Sequence, residues 1–152
     1  MRLQKKNTIS LYIVSKNYGK YLNKSINSVF NQTFKDWHLF LVNDGSTDNT
    51  LKIYKNFKKK NKKKITVINF KKSVGLQKLS NHILNLTKSD FIFRLDADDW
   101  LSEYALELML NKIRENKKIG LVYSGYFYTN SNGIVLGVEK NFDLVKIKNV
   151  PP

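Results

Sequence analysis

Asp96, Asp98 and Asp99 place three carboxylates within four residues, directly after the apolar run Phe91-Ile92-Phe93-Arg94-Leu95. Carboxylates at the end of a buried strand are costly unless something compensates them. Hard divalent cations such as Mn2+ or Mg2+ take oxygen ligands, often one or two carboxylates together with phosphate oxygens of a substrate. One reading is therefore a metal site that holds a diphosphate. The other is an acidic turn capping a helix that begins near Ser102. Taken alone, the tetrad supports the two readings about equally.

A second polar loop, Asn43-Asp44-Gly45-Ser46-Thr47-Asp48, follows the apolar run Trp37 to Val42. A third, Ser15-Lys16-Asn17-Tyr18, follows Thr8 to Val14. Loops at the carboxyl ends of parallel strands converge on one crevice in an open α/β sheet. Such a crevice would combine carboxylates for a metal with hydrogen-bond partners for a base or sugar.

The elements that must position these loops are legible as alternating patterns. Thr8–Val14, Trp37–Val42, Ile65–Ile68 and Phe91–Leu95 read as strands, the last buried on both faces. Leu22, Ile26, Val29 and Phe30 recur at helical spacing within 21–30. Leu51, Tyr54 and Phe57 mark a helix capped by Thr47 or Asp48, and Leu76, Leu79, Ile83 and Leu86 mark another. A fourth helix is expected over 102–116, with Leu101, Tyr104, Ala105, Leu108 and Ile113 facing the core. Two strands, 120–128 and 134–138, flank Asn130-Ser131-Asn132-Gly133, a hairpin signal. The pattern predicts an α/β fold: a mainly parallel, Rossmann-like sheet flanked by helices, ending in a β-hairpin.

Composition narrows the function classes. The chain has no cysteine, so disulfides and cysteine-bound zinc are excluded. His38 and His82 are distant in sequence and read as ordinary strand or helix residues. The net charge of +15 invites a nucleic-acid reading. Yet only Arg2, Arg94 and Arg114 among the 27 basic residues are arginine, the residue preferred for bidentate phosphate and base contacts. No nucleic-acid partner is expected. The lysine run 58–64 reads as a solvated helix end and loop, with peripheral contact to anionic lipid as the lesser alternative. No apolar run approaches bilayer length, and no apolar signal core follows the basic start. The expected location is cytoplasmic, extending to the inner face of the membrane.

Four segments together resemble the inverting family 2 glycosyltransferases with the GT-A fold. They are IVSKNYGKYL, the Ser28-Val29 and Gln32-Thr33 pairs, Asp44-Gly45-Ser46-Thr47-Asp48, and Asp96, Asp98 and Asp99. The stretch from Gly120 to Gly133 resembles the family's strand and hairpin, so the likeness covers 8 to about 140. It implies a single GT-A-like domain over 1–152 that binds a nucleotide-sugar donor and lacks the acceptor-binding half. It also implies transfer of a sugar, with inversion, from a UDP-sugar or related donor to a glycan or lipid-linked acceptor in polysaccharide biosynthesis.

The resemblance implies roles for individual residues. Asp44 would accept a hydrogen bond from the base, and Asp96 would lie near the ribose or sugar. Asp98 would be the main ligand of Mn2+ or Mg2+, with Asp99 beside it. Ser15 and Asn17 would line the donor site. Where the family carries an arginine at the start of the third helix, this chain has Ser80, and Lys78 is the nearest base for the diphosphate. Where the family's first loop carries an aromatic, this chain has Lys16, with Tyr18 as substitute. Asn43 replaces the first acid of the family's Asp-Asp pair.

The family's general base is a carboxylate well downstream of the acidic cluster. Past Asp99 the chain offers Glu103, Glu107 and Glu115 on the expected helix, then Glu139 and Asp143, and none matches a base motif. The alternatives are a non-catalytic nucleotide-sugar-binding module and, with less support, a basic nucleic-acid-binding protein.

Overall fold

The computed structural model describes residues 9–130 and 132–139. Contacts divide the chain into two compact units, one ending at Glu107 and the other beginning at Leu108. The first holds β1 (Ile9–Ser15), α1 (Gly19–Phe30), β2 (Trp37–Asp44), α2 (Thr50–Lys60), β3 (Ile65–Phe70), α3 (Leu76–Leu86) and β4 (Phe91–Arg94). It also holds the start of α4 (Ala105–Arg114). The second unit contains β5 (Tyr126–Thr129) and β6 (Val135–Glu139).

The sheet of the first unit is wholly parallel in the order β3-β2-β1-β4. Its two faces follow from the two-residue period of a strand. Tyr12, Phe40 and Val42 face Leu79 and Ile83 of α3, with Val14, Ile68 and Phe70 at the margin. The alternate residues Leu11, Ile13, Leu39 and Leu41 are fully buried on the opposite face. That face is left for α1 and α2, which meet where the Phe30 and Phe57 rings stack at 6.2 Å. Leu22, Ile26, Val29 and Tyr54 are the fully buried hydrophobic side chains of these two helices.

The chain moves outward through β1, β2 and β3, then returns to the other side of β1 for β4. The reversal puts the switch point of the sheet between the carboxyl ends of β1 and β4, the usual ligand site in such sheets. β4 stops short there. Its pairing ends at Arg94 opposite Tyr12, with Leu95 N–H bonded to the Tyr12 carbonyl at 3.1 Å, whereas β1 runs on to Ser15.

Several expected details differ. β4 is an edge strand with alternating half-buried and exposed residues, not one buried on both faces. Only β1 and β2 have paired neighbours on both sides, so the deepest burial falls there. In α3, Leu79 and Ile83 are buried but Leu76 and Leu86 are exposed. α2 begins at Thr50 with Asn49 at the cap position. Asp48 still acts as a cap from one residue further back, accepting the Thr50 N–H at 2.9 Å.

α4 begins later than expected, at Ala105, and its inward residues are Leu106 and Leu110. Tyr104 and Leu108 are 54% and 64% exposed. The late start follows from bonds made by Gln32, distant in sequence, to the Ser102 carbonyl and the Leu106 N–H. In the second unit β5 and β6 pair antiparallel around a turn in which Gly133 has φ 81° and its N–H bonds the Asn130 carbonyl at 2.9 Å. β5 is shorter than expected, because 120–125 are not strand. Among the described residues no helix is long and apolar enough to cross a membrane.

His38 on β2 is half-buried, with Nε2 2.9 Å from the Thr66 hydroxyl of β3. Burial, then the nearby Lys58 ammonium, lowers its pKa below the ordinary value of 6.5. Below about pH 6.5 the unfolded chain binds a proton here that the folded chain resists. Stability contributed by neutral His38 is therefore present above that pH and lost as pH falls toward the folded pKa. We expect urea midpoints to drop between about pH 7.5 and 5.5, and His38→Gln to flatten that slope; an identical slope in the variant would exclude His38 as its source.

Candidate functional site

The acidic tetrad follows β4 at the switch point of the sheet. Leu95 and Ala97 are buried, whereas Asp96, Asp98 and Asp99 are exposed. The Asp99 carboxyl is pushed above its ordinary value by partial shielding from water first, then by the negative charges of Asp98 and Asp96. Asp96 is already compensated: the Arg94 guanidinium holds its two oxygens at 3.1 and 3.2 Å. Asp98 and Asp99 are left as the crowded, uncompensated pair. Among the described residues no three His, Cys, Asp or Glu side chains converge into a cage. The donor set nonetheless fits Mg2+ or Mn2+, which take one or two carboxylates and fill the remaining positions with water and phosphate oxygens.

The loop carrying these carboxylates is fastened by polar residues of α1 and of the segment just after it. The Ser25 hydroxyl donates to the Asp96 carbonyl at 3.3 Å. The Ser28 hydroxyl accepts the Leu101 N–H at 3.1 Å. Gln32 is fully buried, and its amide donates to the carbonyls of Ser28 at 3.0 Å and Ser102 at 2.6 Å. Its Oε1 accepts the Leu106 N–H at 3.0 Å. In a helix beginning at Ser102, that N–H would bond the Ser102 carbonyl. Gln32 bonds both groups, and the Ser102 carbonyl takes the Ala105 N–H at 3.1 Å in place of the Leu106 N–H, so α4 starts at Ala105. Thr33 adds its N–H to the Glu103 carbonyl at 2.8 Å and its hydroxyl to the Glu107 carboxylate at 2.6 Å.

The other two loops are knitted to each other. Asn17 adopts φ 62°, a left-handed conformation that asparagine tolerates better than most residues. Its Oδ1 accepts N–H bonds from Thr47 at 2.8 Å and Asp48 at 3.3 Å. The Ser46 hydroxyl accepts the Asn17 N–H at 3.0 Å and donates to the Ser15 carbonyl at 3.2 Å. Asp48 accepts the Gly19 N–H at 2.9 Å. Partial burial, its largest single influence, pushes Asp48 upward, but the bonds from Thr50 and Gly19 outweigh it and leave the pKa lowered. The Ser15 side chain is buried, 3.5 Å from the Thr50 hydroxyl.

Asp44 is only 5% exposed and faces the loop after β3. It accepts the Ser73 hydroxyl at 2.8 Å and the Val74 N–H at 2.7 Å. Gly45 makes this approach feasible. It has φ +67°, and a Cβ there would stand 2.6 Å from the Ser73 nitrogen and 2.8 Å from the Lys72 carbonyl carbon. A carboxylate has about four lone-pair sites, so Asp44 keeps acceptor capacity beyond these two bonds.

The structure thus joins Ser15 and Asn17 to the Ser46–Thr50 segment, and Asp96, Asp98 and Asp99 to one another. β1 lies between the strands that lead to Asp44 and to the tetrad. Lys78 lies on the exposed side of the first turns of α3. Tyr18 is 41% exposed, its ring 5.9 Å from that of Tyr21. Of the downstream acids, Glu103 precedes α4 and Glu115 follows it, contrary to the expected helix bounds. Glu107 takes the Thr33 bond and Glu115 pairs with Lys112 at 2.8 Å. Asp143 lies outside the described residues. Sequence reasoning passed over Arg94 as a partner of Asp96; its spacing of two residues along an extended segment was the available signal.

Residues 10–142 match the profile of Glycosyl transferase family 2. The chain belongs to that family. It is 32% identical over 134 residues to the chondroitin synthase of Pasteurella multocida, covering 88% of this chain and 14% of that protein. The crystal structure of S. aureus TarS 1–349 in complex with UDP-GlcNAc superposes with a TM-score of 0.65 at 27% identity, over 71% of this chain and 31% of that one. The mannosyltransferase PcManGT of Pyrobaculum calidifontis, solved with GDP-Man and Mn2+, shares the fold with a TM-score of 0.65 at 14% identity, over 72% of this chain and 33% of that one. The fold is GT-A, and the chain spans well under half the length of these relatives.

The Gln32 contacts generate a prediction. Gln32→Ala leaves the buried Leu106 N–H without its partner, at roughly 1–3 kcal/mol for an orphaned group, whereas the Ser102 carbonyl keeps the Ala105 N–H at 3.1 Å. We expect a urea unfolding free energy lower by about 1–3 kcal/mol. Stability equal to that of the parent would show that the clamp is dispensable.

Proposed function

We propose that this chain forms the donor-binding part of an inverting glycosyltransferase that uses a nucleotide-diphosphate sugar, with a UDP-sugar as the first candidate. The observation that carries the reading is the crowded Asp98–Asp99 pair at the switch-point crevice, on a loop fixed by buried side chains. TarS, solved with UDP-GlcNAc, supports a uridine donor. The chondroitin synthase relative supports a polysaccharide product. A glycan or lipid-linked acceptor completes the reading.

In this reading Asp98 and Asp99 hold Mn2+ or Mg2+, with Asp96 behind them on Arg94. The bound cation would offset the negative charge that builds on the departing nucleoside diphosphate. Asp44, set at the end of β2, accepts a ring N–H of the base, and Ser15 and Asn17 shape the wall beside it. Lys78 is the candidate cation toward the phosphates. The exposed Lys59, Lys60, Lys62 and Lys63 would serve peripheral contact with anionic lipid at the cytoplasmic face.

Thermal shifts with UDP, GDP and TDP, each with and without Mn2+, test the donor. A ligand at one hundred times its Kd stabilises by about 2.7 kcal/mol. We expect a Mn2+-dependent shift with UDP that Asp98→Ala abolishes; equal shifts in variant and parent would remove the metal from this loop. Asp44→Ala should weaken UDP by roughly 1.5–3 kcal/mol, the worth of a hydrogen bond to a charged group, and leave Mn2+ binding alone unchanged. Unaltered UDP affinity would reduce Asp44 to an anchor for Ser73 and Val74.

A further inference from the structure

A concavity lies between α1 with the residues after it and the segment that follows the tetrad. It has a volume of about 730 Å³ and is lined by Lys24, Asn27, Asn31, Lys35, Trp100 and Glu103, among others. Lys24, Asn27 and Asn31 repeat at three and four residues, so they share one helix face. Trp100 directly follows Asp99, so the concavity begins where the acidic loop ends. Its position is fixed by the bond between Leu101 N–H and Ser28. The cavity size falls within the range of small-molecule and cofactor sites.

The lining has a definite chemistry. The Lys24 ammonium stands 3.1 Å from the centroid of the Trp100 ring. A cation held on an indole face is already ordered, so a ligand that meets it loses less entropy in the encounter. Lys24 and Lys35 outnumber Glu103, which favours an anion. The two carboxamides, each donor and acceptor, suit hydroxyl groups that also do both. Nothing in the donor site uses these residues.

We propose that this groove is a subsite for an anionic glycan acceptor: Lys24 and Lys35 meet its carboxylate or phosphate groups, and Asn27, Asn31 and Glu103 meet its hydroxyls. The proposal rests on the donor reading above and adds the acceptor's charge and its place beside the tetrad.

Trp100 supplies the readout. It is 36% exposed, whereas Trp37, the other tryptophan, is 2% exposed, so acrylamide quenching of the 152-residue chain reports mainly on Trp100. The probes are a chondroitin hexasaccharide, a ribitol-phosphate oligomer, neutral chitohexaose and phosphatidylglycerol vesicles. Protection by either anionic oligomer, with at most weak protection by chitohexaose, is the expected result; which oligomer protects separates carboxylate from phosphate. Replacing both lysines (Lys24→Gln with Lys35→Gln) should weaken that binding about fivefold or more, as the loss of two surface ion pairs implies. The UDP and Mn2+ thermal shift should stay as in the parent. Asn27→Ala with Asn31→Ala provides a second variant that leaves the charges intact and should also weaken binding.

Equal protection by chitohexaose, equal affinity in the lysine variant, or protection by vesicles alone would each overturn the proposal. Failure of UDP to bind the parent would sink the donor reading, while the quenching result would still decide the groove.

Discussion

Gln32 occupies the position on which the acidic loop depends. Its side-chain amide stands in for a turn of backbone: it takes the Ser102 carbonyl and the Leu106 N–H that a helix beginning at Ser102 would have bonded to each other. Buried polar groups must be paired, so once Gln32 is enclosed its partners are fixed in place. The segment from Asp96 to Tyr104 is then held as an open loop above α1, with Ser25 and Ser28 securing its beginning and middle. A helix started at Ser102 would have coiled up part of this segment.

This also explains which parts of the fold were legible in the sequence. The strands and the first three helices followed from periodicity because their burial repeats with their geometry. α4 failed in phase because its start is decided by a residue some seventy positions away, and no local pattern encodes that. The assignment of Tyr104 and Leu108 to the core assumed a helix already running at Ser102. Phe91–Leu95 misled for a different reason: an apolar run reads as doubly buried, but among the described residues β4 lies at the edge, which is a property of strand order.

The candidate site was legible in its residues more than in their roles. The carboxylate cluster announced itself by composition, and Ser28, Gln32 and Thr33 entered through family resemblance alone. Their task became visible only as hydrogen bonds to the loop. Asp44 shows the reverse case. It read as a ligand contact, and the structure adds a duty that a single sequence conceals: it fastens Ser73 and Val74 in an approach that Gly45 alone permits.

The electrostatics of the crevice follow from which charges are already answered. Arg94 neutralises Asp96, and Ser73 and Val74 satisfy part of Asp44, so the remaining negative field concentrates on Asp98 and Asp99. In a chain of net charge +15, keeping such a pair unpaired means that lysines are held elsewhere. Lys64 is tied to the Lys35 carbonyl at 2.7 Å and lies over the Trp37 ring, Lys58 is bound to the Lys62 and Ile65 carbonyls, and Lys24 is held on Trp100. On the proposed reading, two carboxylates only begin the coordination of a divalent cation, and the substrate's phosphates complete it. Cation and diphosphate would then each raise the affinity for the other, because linkage between two ligands is reciprocal. On that reading Ser25, Ser28 and Gln32 would make the coupling effective, since a loop free to move would relax its two carboxylates apart and lose the crowding that would favour a metal.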